Sequence, residues 1–376
     1  MFTITKQRST HGARLERWLG PETVEHLSNS MKDWYGPPIA ISGVPGNVWA
    51  HRGGDFHGII KSGQFLSALD WGLIRADKIF RSVGRQSMGR CNAGFASLSD
   101  LISEATANNK RREIAFYKTG GTGVVAVTNT LWRQGGQPTN GAAGSAAPGG
   151  RAPTGATTGA QFGLDNVSTD TRHFVSANVV ASVLGNCLMM YDRIFDVAKT
   201  MNSSATESVT GVPTRYQSST ATAADYAGGN FCFVEVFSAL ANTAHNWTVC
   251  KYRNQAGTDA VSFPSMAGVA QAIVDRLDHP VSSWFMPLAT GDTGVMDLNQ
   301  IQCDALVATG SINFVIGHPL AWMPCPVANM VCTIDGINTA FNLVRVFDDA
   351  ALAFLEVSKP STSATTYTGT VTFVHG

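Results

Sequence analysis

Charge is what this chain has least of. Only 14% of its 376 residues are Asp, Glu, Lys or Arg, well below the roughly 25% of a typical soluble protein. Lys+Arg and Asp+Glu both number 27, so the formal net charge is zero. A neutral, charge-poor surface favours association over independent solubility. Long apolar runs are missing too. None reaches the roughly 18 residues that a membrane span demands, and Met1-Phe-Thr-Ile-Thr-Lys6 lacks the apolar core of a secretory signal. The expectation is a soluble product with no membrane partner, made in a reducing compartment.

Paired cysteines are also lacking. The seven (Cys91, Cys187, Cys232, Cys250, Cys303, Cys325, Cys332) form no CxxC and no Cys/His finger spacing. Cys232, Cys250, Cys303 and Cys332 lie inside apolar strand-like runs, where a thiol serves as a small buried hydrophobe. No GxSxG, HExxH or Cys/His arrangement occurs. His51, Asp55 and His57 sit on one Gly-rich loop, but a metal centre needs three or four converging ligands. Gly84-Arg-Gln-Ser-Met-Gly-Arg-Cys91 has phosphate-loop glycine spacing, with Arg in place of the lysine and Cys in place of the hydroxyl. Asp292 completes an Asp-Thr-Gly, yet it follows a turn rather than an apolar strand, so it reads as a turn residue. His279 and His318 each precede proline and read as turn packing. The sequence points to no enzyme, cofactor or metal.

What the chain does have is a series of short apolar runs separated by turn residues between 230 and 324. They are Phe231–Phe237, Asn246–Tyr252, Ser283–Leu288, Val295–Ile301 and Ser311–Ile316. Runs of this length, rich in aromatic and β-branched residues, predict antiparallel strands in two packed sheets, with Phe233, Val249 and Phe314 buried. Further strands are expected over Ile114–Tyr117, Val124–Thr128, Asn178–Val197 and from Met330 onward. A helix over Met266–Leu277 is expected from Val269, Ile273 and Leu277 at four-residue intervals. A second is expected from Ser97 or Ser99, either of which can cap it, to Asn108-Asn109.

The N-terminal third differs. Through residue 120 there are 16 basic and 10 acidic side chains, a net of +6, balanced by −6 beyond it. Gly20-Pro-Glu-Thr starts a helix whose apolar stripe is Val24, Leu27, Met31 and Trp34. These four are the candidate subunit-contact residues. Residues 39–66 alternate short apolar pieces with glycine, as a hairpin or long extended loop does. Residues 66–90 are basic and amphipathic: a solvated helix face, with nucleic acid as the alternative partner. Residues 135–160 are nearly all Gly, Ala, Pro, Thr and Ser, a linker or a long loop ordered against neighbours. The expected organisation is an α+β arm and docking region over 1–134, the tract over 135–160, and a β-sandwich domain over 161–376.

Three features give the chain a resemblance to virion structural proteins of tailed bacteriophages. They are the Gly/Ala/Pro tract from Gly135 to Gly150, the segments Asn246–Gly257 and Phe285–Val295, and the strand around Phe314-Val-Ile-Gly-His-Pro319. The likeness spans roughly residues 115–376. It implies a capsid-shell or cement protein on a jelly-roll-like antiparallel sandwich, a homo-oligomer that also meets other virion proteins. The alternative it implies is a major capsid protein of the tailed-phage capsid fold, its spine helix at Ser97. A receptor- or glycan-binding sandwich using Trp247, Trp284 and Trp322 is a second class of function, and a hydrolase of unfamiliar site a third.

Overall fold

The structure is a computed structural model that describes residues 95, 97–122, 124–167, 170–216, 229–336, 343–358 and 361–376, with the strand pair Ile39–Ala40 and Asn47–Val48. The chain divides into two compact units, Met1–Arg85 and Gln86–Gly376. In the first, Ile39 pairs with Val48 and Ala40 with Asn47, antiparallel. The helix expected over Val24, Leu27, Met31 and Trp34 lies outside the described residues, as do the histidine loop, the basic 66–90 segment and the phosphate-loop spacing.

The second unit is mainly antiparallel β. Its one described helix, α1 (Leu98–Thr106), begins where Ser97 caps it, Asp100 N–H donating to Ser97 Oγ at 3.1 Å. Leu101 faces inward to Phe95, Leu343 and Val374. Ten principal strands follow: β1 Arg111–Thr119, β2 Arg172–Ala181, β3 Asn186–Thr200, β4 Phe231–Ser238, β5 Lys251–Asn254, β6 Val295–Ile301, β7 Ser311–Cys325, β8 Val331–Asp335, β9 Leu352–Ser358 and β10 Thr366–His375.

They form three sheets. The first orders β4, β7, β3, β9 and the two-residue strand Asn129–Thr130, with Ser145–Ala146 pairing parallel to β3. The second orders β8, β2, β10, β1 and Gly136–Gln137, and Arg345–Val346 also pairs with β2. The third is smaller: Val261–Ser262, β5, β6 and Glu207–Ser208. Strands β3 and β7 are 15 residues each and serve two cores. One end packs Leu188, Met190, Leu320 and Met323 against Phe174, Val179, Val371 and Phe373 of the second sheet. The other packs Phe195, Val197, Ile312 and Phe314 against Tyr252, Val295 and Leu298 of the third. The opposite face of the first sheet is covered by Trp132, Ala160 and Leu277 on Met189, Tyr191, Phe233 and Val315. A sheet covered on both faces reads as a near-continuous apolar run, which in β3 is interrupted by Asp192, Arg193, Asp196 and Lys199.

Several expectations are corrected. Met266–Leu277 is not a helix. Met266–Ala267 pairs with Asn246–Trp247, and the positive φ of Gln271 (58°) and Asp275 (68°) breaks the segment into turns. Val124–Thr128 is not a strand; Ala126 has φ 60°, and Val124 and Val125 are exposed. Ser283–Leu288 is irregular and lies along the flank of the first sheet, Met286 N–H donating to Cys232 O at 2.7 Å. The run Asn246–Tyr252 breaks at Thr248–Cys250, which leaves Val249 38% exposed, whereas Phe233 and Phe314 are fully buried. His318 stands inside β7 and not in a turn. The proline after it is accommodated because the β3–β7 register shifts between Pro319 and Ala321.

Candidate functional site: exposed apolar surfaces and the charged network beneath them

The Gly/Ala tract lies within the second unit and is held by its own chain. Arg193, fully buried on β3, reaches Glu235 through Nη2–Oε1 at 2.5 Å and Nη1–Oε2 at 3.1 Å, and Asp196 through Nε–Oδ2 at 2.7 Å. Its guanidinium lies 4.4 Å over the Trp132 ring. Asp196 accepts in turn from Arg151 Nε at 3.0 Å and Nη2 at 2.6 Å. Asn313 Nδ2 donates to Glu235 at 2.8 Å, while its Oδ1 accepts the Gly144 N–H at 3.1 Å. Burial opposes ionisation of Glu235, but the charge and hydrogen bonds of Arg193 outweigh it and hold the carboxyl below its ordinary range. Two guanidiniums and two carboxylates balance, which is the condition for burying them at all.

Glycine is needed in this tract for close approach. A Cβ on Gly141 would lie 2.1 Å from Trp132 Cε2, and one on Gly144 would lie 2.7 Å from Asp196 Oδ1. A second clamp ties down the following loop: Arg215 donates to Asp192 through Nε at 2.8 Å and Nη2 at 2.9 Å, and to Pro153 O at 3.2 Å. These ion pairs fix a long loop against the first sheet.

Histidine and aspartate sites resolve as internal fastenings. Asp278 accepts from Trp247 Nε1 at 2.9 Å and from Val269 N–H at 2.6 Å, and His245 Nε2 lies 2.9 Å from its Oδ2. His245 Nδ1 lies 3.0 Å from Thr243 O. Both ring nitrogens face acceptors, so the imidazolium satisfies the site; burial opposes it, and the Asp278 carboxylate raises the pKa overall. No ring nitrogen is left to act as a general base. His279 Nε2 accepts the Val234 N–H at 2.9 Å, and burial pushes its pKa down to about 4. His318 stacks on Tyr216 with ring centroids 3.9 Å apart. Asp292 closes a turn through Ala289 O, and its carboxylate accepts from Tyr252 Oη and Asn254 Nδ2. Among the described residues no group of three or more His, Cys, Asp or Glu is placed to hold a metal ion. Cys232, Cys250, Cys303 and Cys325 are buried, Cys187 and Cys332 half-buried, and none of the six is in a disulfide.

Among the described residues, exposed apolar side chains gather at two places in particular. One is a shallow open cleft of about 390 Å³ between Ser265–Ala267 and Pro280–Pro287. Trp284 stands on its wall, 4.8 Å from Phe231 and 5.2 Å from Trp322 between ring centroids. Trp322 is 41% exposed on β7, Phe285 is exposed 4.7 Å from Trp284 between ring centroids, and Val281 is exposed as well. Of the three tryptophans, only Trp247 is core. The other surface lies where β2 turns into β3 and β7 into β8. There Leu184, Val327, Met330 and Val331 are exposed around two bonded turns, Gly185 N–H to Cys325 O and Asn329 N–H to Ala181 O, each 2.8 Å. No protein-family model, curated protein or solved structure matches the chain.

Proposed function

We propose that this chain is a structural protein of a bacteriophage virion, a capsid-shell or capsid-stabilising cement subunit that works through contacts with copies of itself and with other virion proteins. The observation that carries the reading is the exposed aromatic surface of Trp322 and Phe285, backed by the half-buried Trp284, on a charge-poor body. Exposed apolar patches rimmed by polar residues mark association surfaces. Packed antiparallel sheets are compatible with a jelly-roll-like sandwich, and the sequence resemblance supplies the virion setting. The test is electron microscopy of the assembled protein with a subunit count. Closed particles with many copies are expected, and a chain that stays monomeric at every concentration refutes the reading.

A receptor- or glycan-binding sandwich is the second reading, favoured by one observation: the Trp284–Trp322 pair beside the hydroxyls of Ser282 and Ser283. Sugar-ring stacking would use Trp322. Trp322→Ala would then abolish glycan binding measured by calorimetry, whereas under the structural reading it weakens subunit association.

A further inference from the structure

Among the described residues, β8 forms the outer edge of the second sheet and is paired only with β2. Its register runs from Val331 opposite Val180 to Asp335 opposite Ser176, and Gly336 N–H continues it by donating to Val175 O at 2.7 Å. That bond sets the alternation. Residues of even number turn their amides toward β2, so Val331 and Thr333 turn theirs away from the sheet. The side chains follow the same alternation. Cys332 and Ile334 pack inward against the core between the sheets, while Val331 and Thr333 lie on the outer face.

Natural edge strands are blunted by lysine, proline, a bulge or an inward charge. Between Met330 and Ile334 there is none of these. The flank is apolar instead: Leu184 is 60%, Met330 59%, Val331 60% and Val327 48% exposed.

We infer that β8 is a homotypic contact, pairing antiparallel with β8 of a second copy of this chain about a two-fold axis at Cys332. This register sets Val331 opposite the partner's Thr333, a β-branched pair on the outer face, and Met330 opposite the partner's Ile334. It opposes no like charges. It joins two second sheets into one continuous sheet and is isologous, as a two-fold contact must be. The four flanking side chains expose on the order of 400 Å², about half of what one partner buries in a standard interface. The contact is therefore one of several in an assembly, not a free-standing dimer. It rests on the structural-subunit reading and names a partner surface for it.

In the paired state the two Cys332 residues form a non-hydrogen-bonded pair, with Cα atoms roughly 4.5 Å apart, inside the range a disulfide spans. The experiment is mild oxidation of the full chain with peptide mapping, alongside Cys332→Ser and the double variant Val331→Lys/Thr333→Lys. A Cys332–Cys332 covalent dimer is expected in the unaltered protein and absent from Cys332→Ser. The double variant sets lysine opposite lysine at both bonded pairs. It should weaken self-association, read by sedimentation, at least about tenfold, with an unchanged circular-dichroism spectrum. An oxidised dimer that persists in Cys332→Ser, or undiminished association of the lysine variant, overturns the inference. Particles that form without the Cys332 link overturn this contact and leave the structural reading standing. The link in a chain that never grows beyond dimers does the reverse.

Discussion

At the scale of single residues, the charges inside the strands matter most. Arg193 is fully enclosed with Glu235 and Asp196, so Arg193→Met strands the Glu235 carboxylate in a low-dielectric interior and leaves Asp196 to Arg151 alone. The expected loss is about 3–5 kcal/mol, read by urea unfolding. Acid acts on the same group. Glu235 titrates lower in the folded chain than in the unfolded one, so its contribution is present above the ordinary Glu range and fades as pH falls through the folded value. His245 has the opposite sign. Its folded pKa is raised by Asp278, so its contribution is whole below the unfolded value near 6.5 and is lost as pH climbs through the folded one. Unfolding midpoints between pH 5 and 9 should therefore fall toward the alkaline side, and fall less in His245→Gln. Asp292→Asn should cost about 1 kcal/mol, because the amide still accepts one of the two hydrogen bonds, and should leave assembly intact; abolition of a peptidase activity by that variant would refute the turn reading. These charges had a sequence signal. Tyr191-Asp-Arg-Ile-Phe-Asp196 and Glu235 interrupt otherwise apolar runs, and charges in a buried strand must find each other.

At the scale of elements, legibility followed how far local pattern decided the outcome. The run Phe231–Phe237 and the capped start of α1 were readable because run length, β-branched and aromatic content and capping are local. Val269, Ile273 and Leu277 misled because their spacing is helical while their partners are not neighbours in sequence. Val269 N–H goes to the Asp278 carboxylate, and Leu277 N–H to Thr128 O. The 135–160 tract read as a linker or a long loop, and its composition gave no hint that Trp132 and Asp196 require glycine for close approach. Gly144→Ala should destabilise by about 1–3 kcal/mol as the methyl meets the Asp196 carboxylate. Native-state hydrogen exchange adds a second measurement: the amides of Gly141, Gly144 and Arg151 should be protected in the free subunit, since each donates within its own chain. Rapid exchange there before assembly would mean that neighbours, and not the Arg193 network, order the tract.

At the scale of the whole molecule, apolar contact should dominate association. Only 14% of the residues are charged, so assembly followed by light scattering should change little between 0.05 and roughly 1 M salt, because screening acts on exposed charge and not on buried apolar area. Collapse of the particles at high salt would point to ion pairs between subunits instead. The two 15-residue strands give the same molecule a mechanical character. β3 and β7 are zipped to each other from Thr200–Ser311 to Asn186–Cys325, and each end of that zipper is anchored in a different core. Both strands run from one core to the other, so a pull applied between the two ends is carried as tension along two covalent backbones and not by the hydrogen bonds between them. A shell tiled from such bodies would carry internal pressure through its subunits as tension along these two strands, and its first failures would come at the seams between subunits.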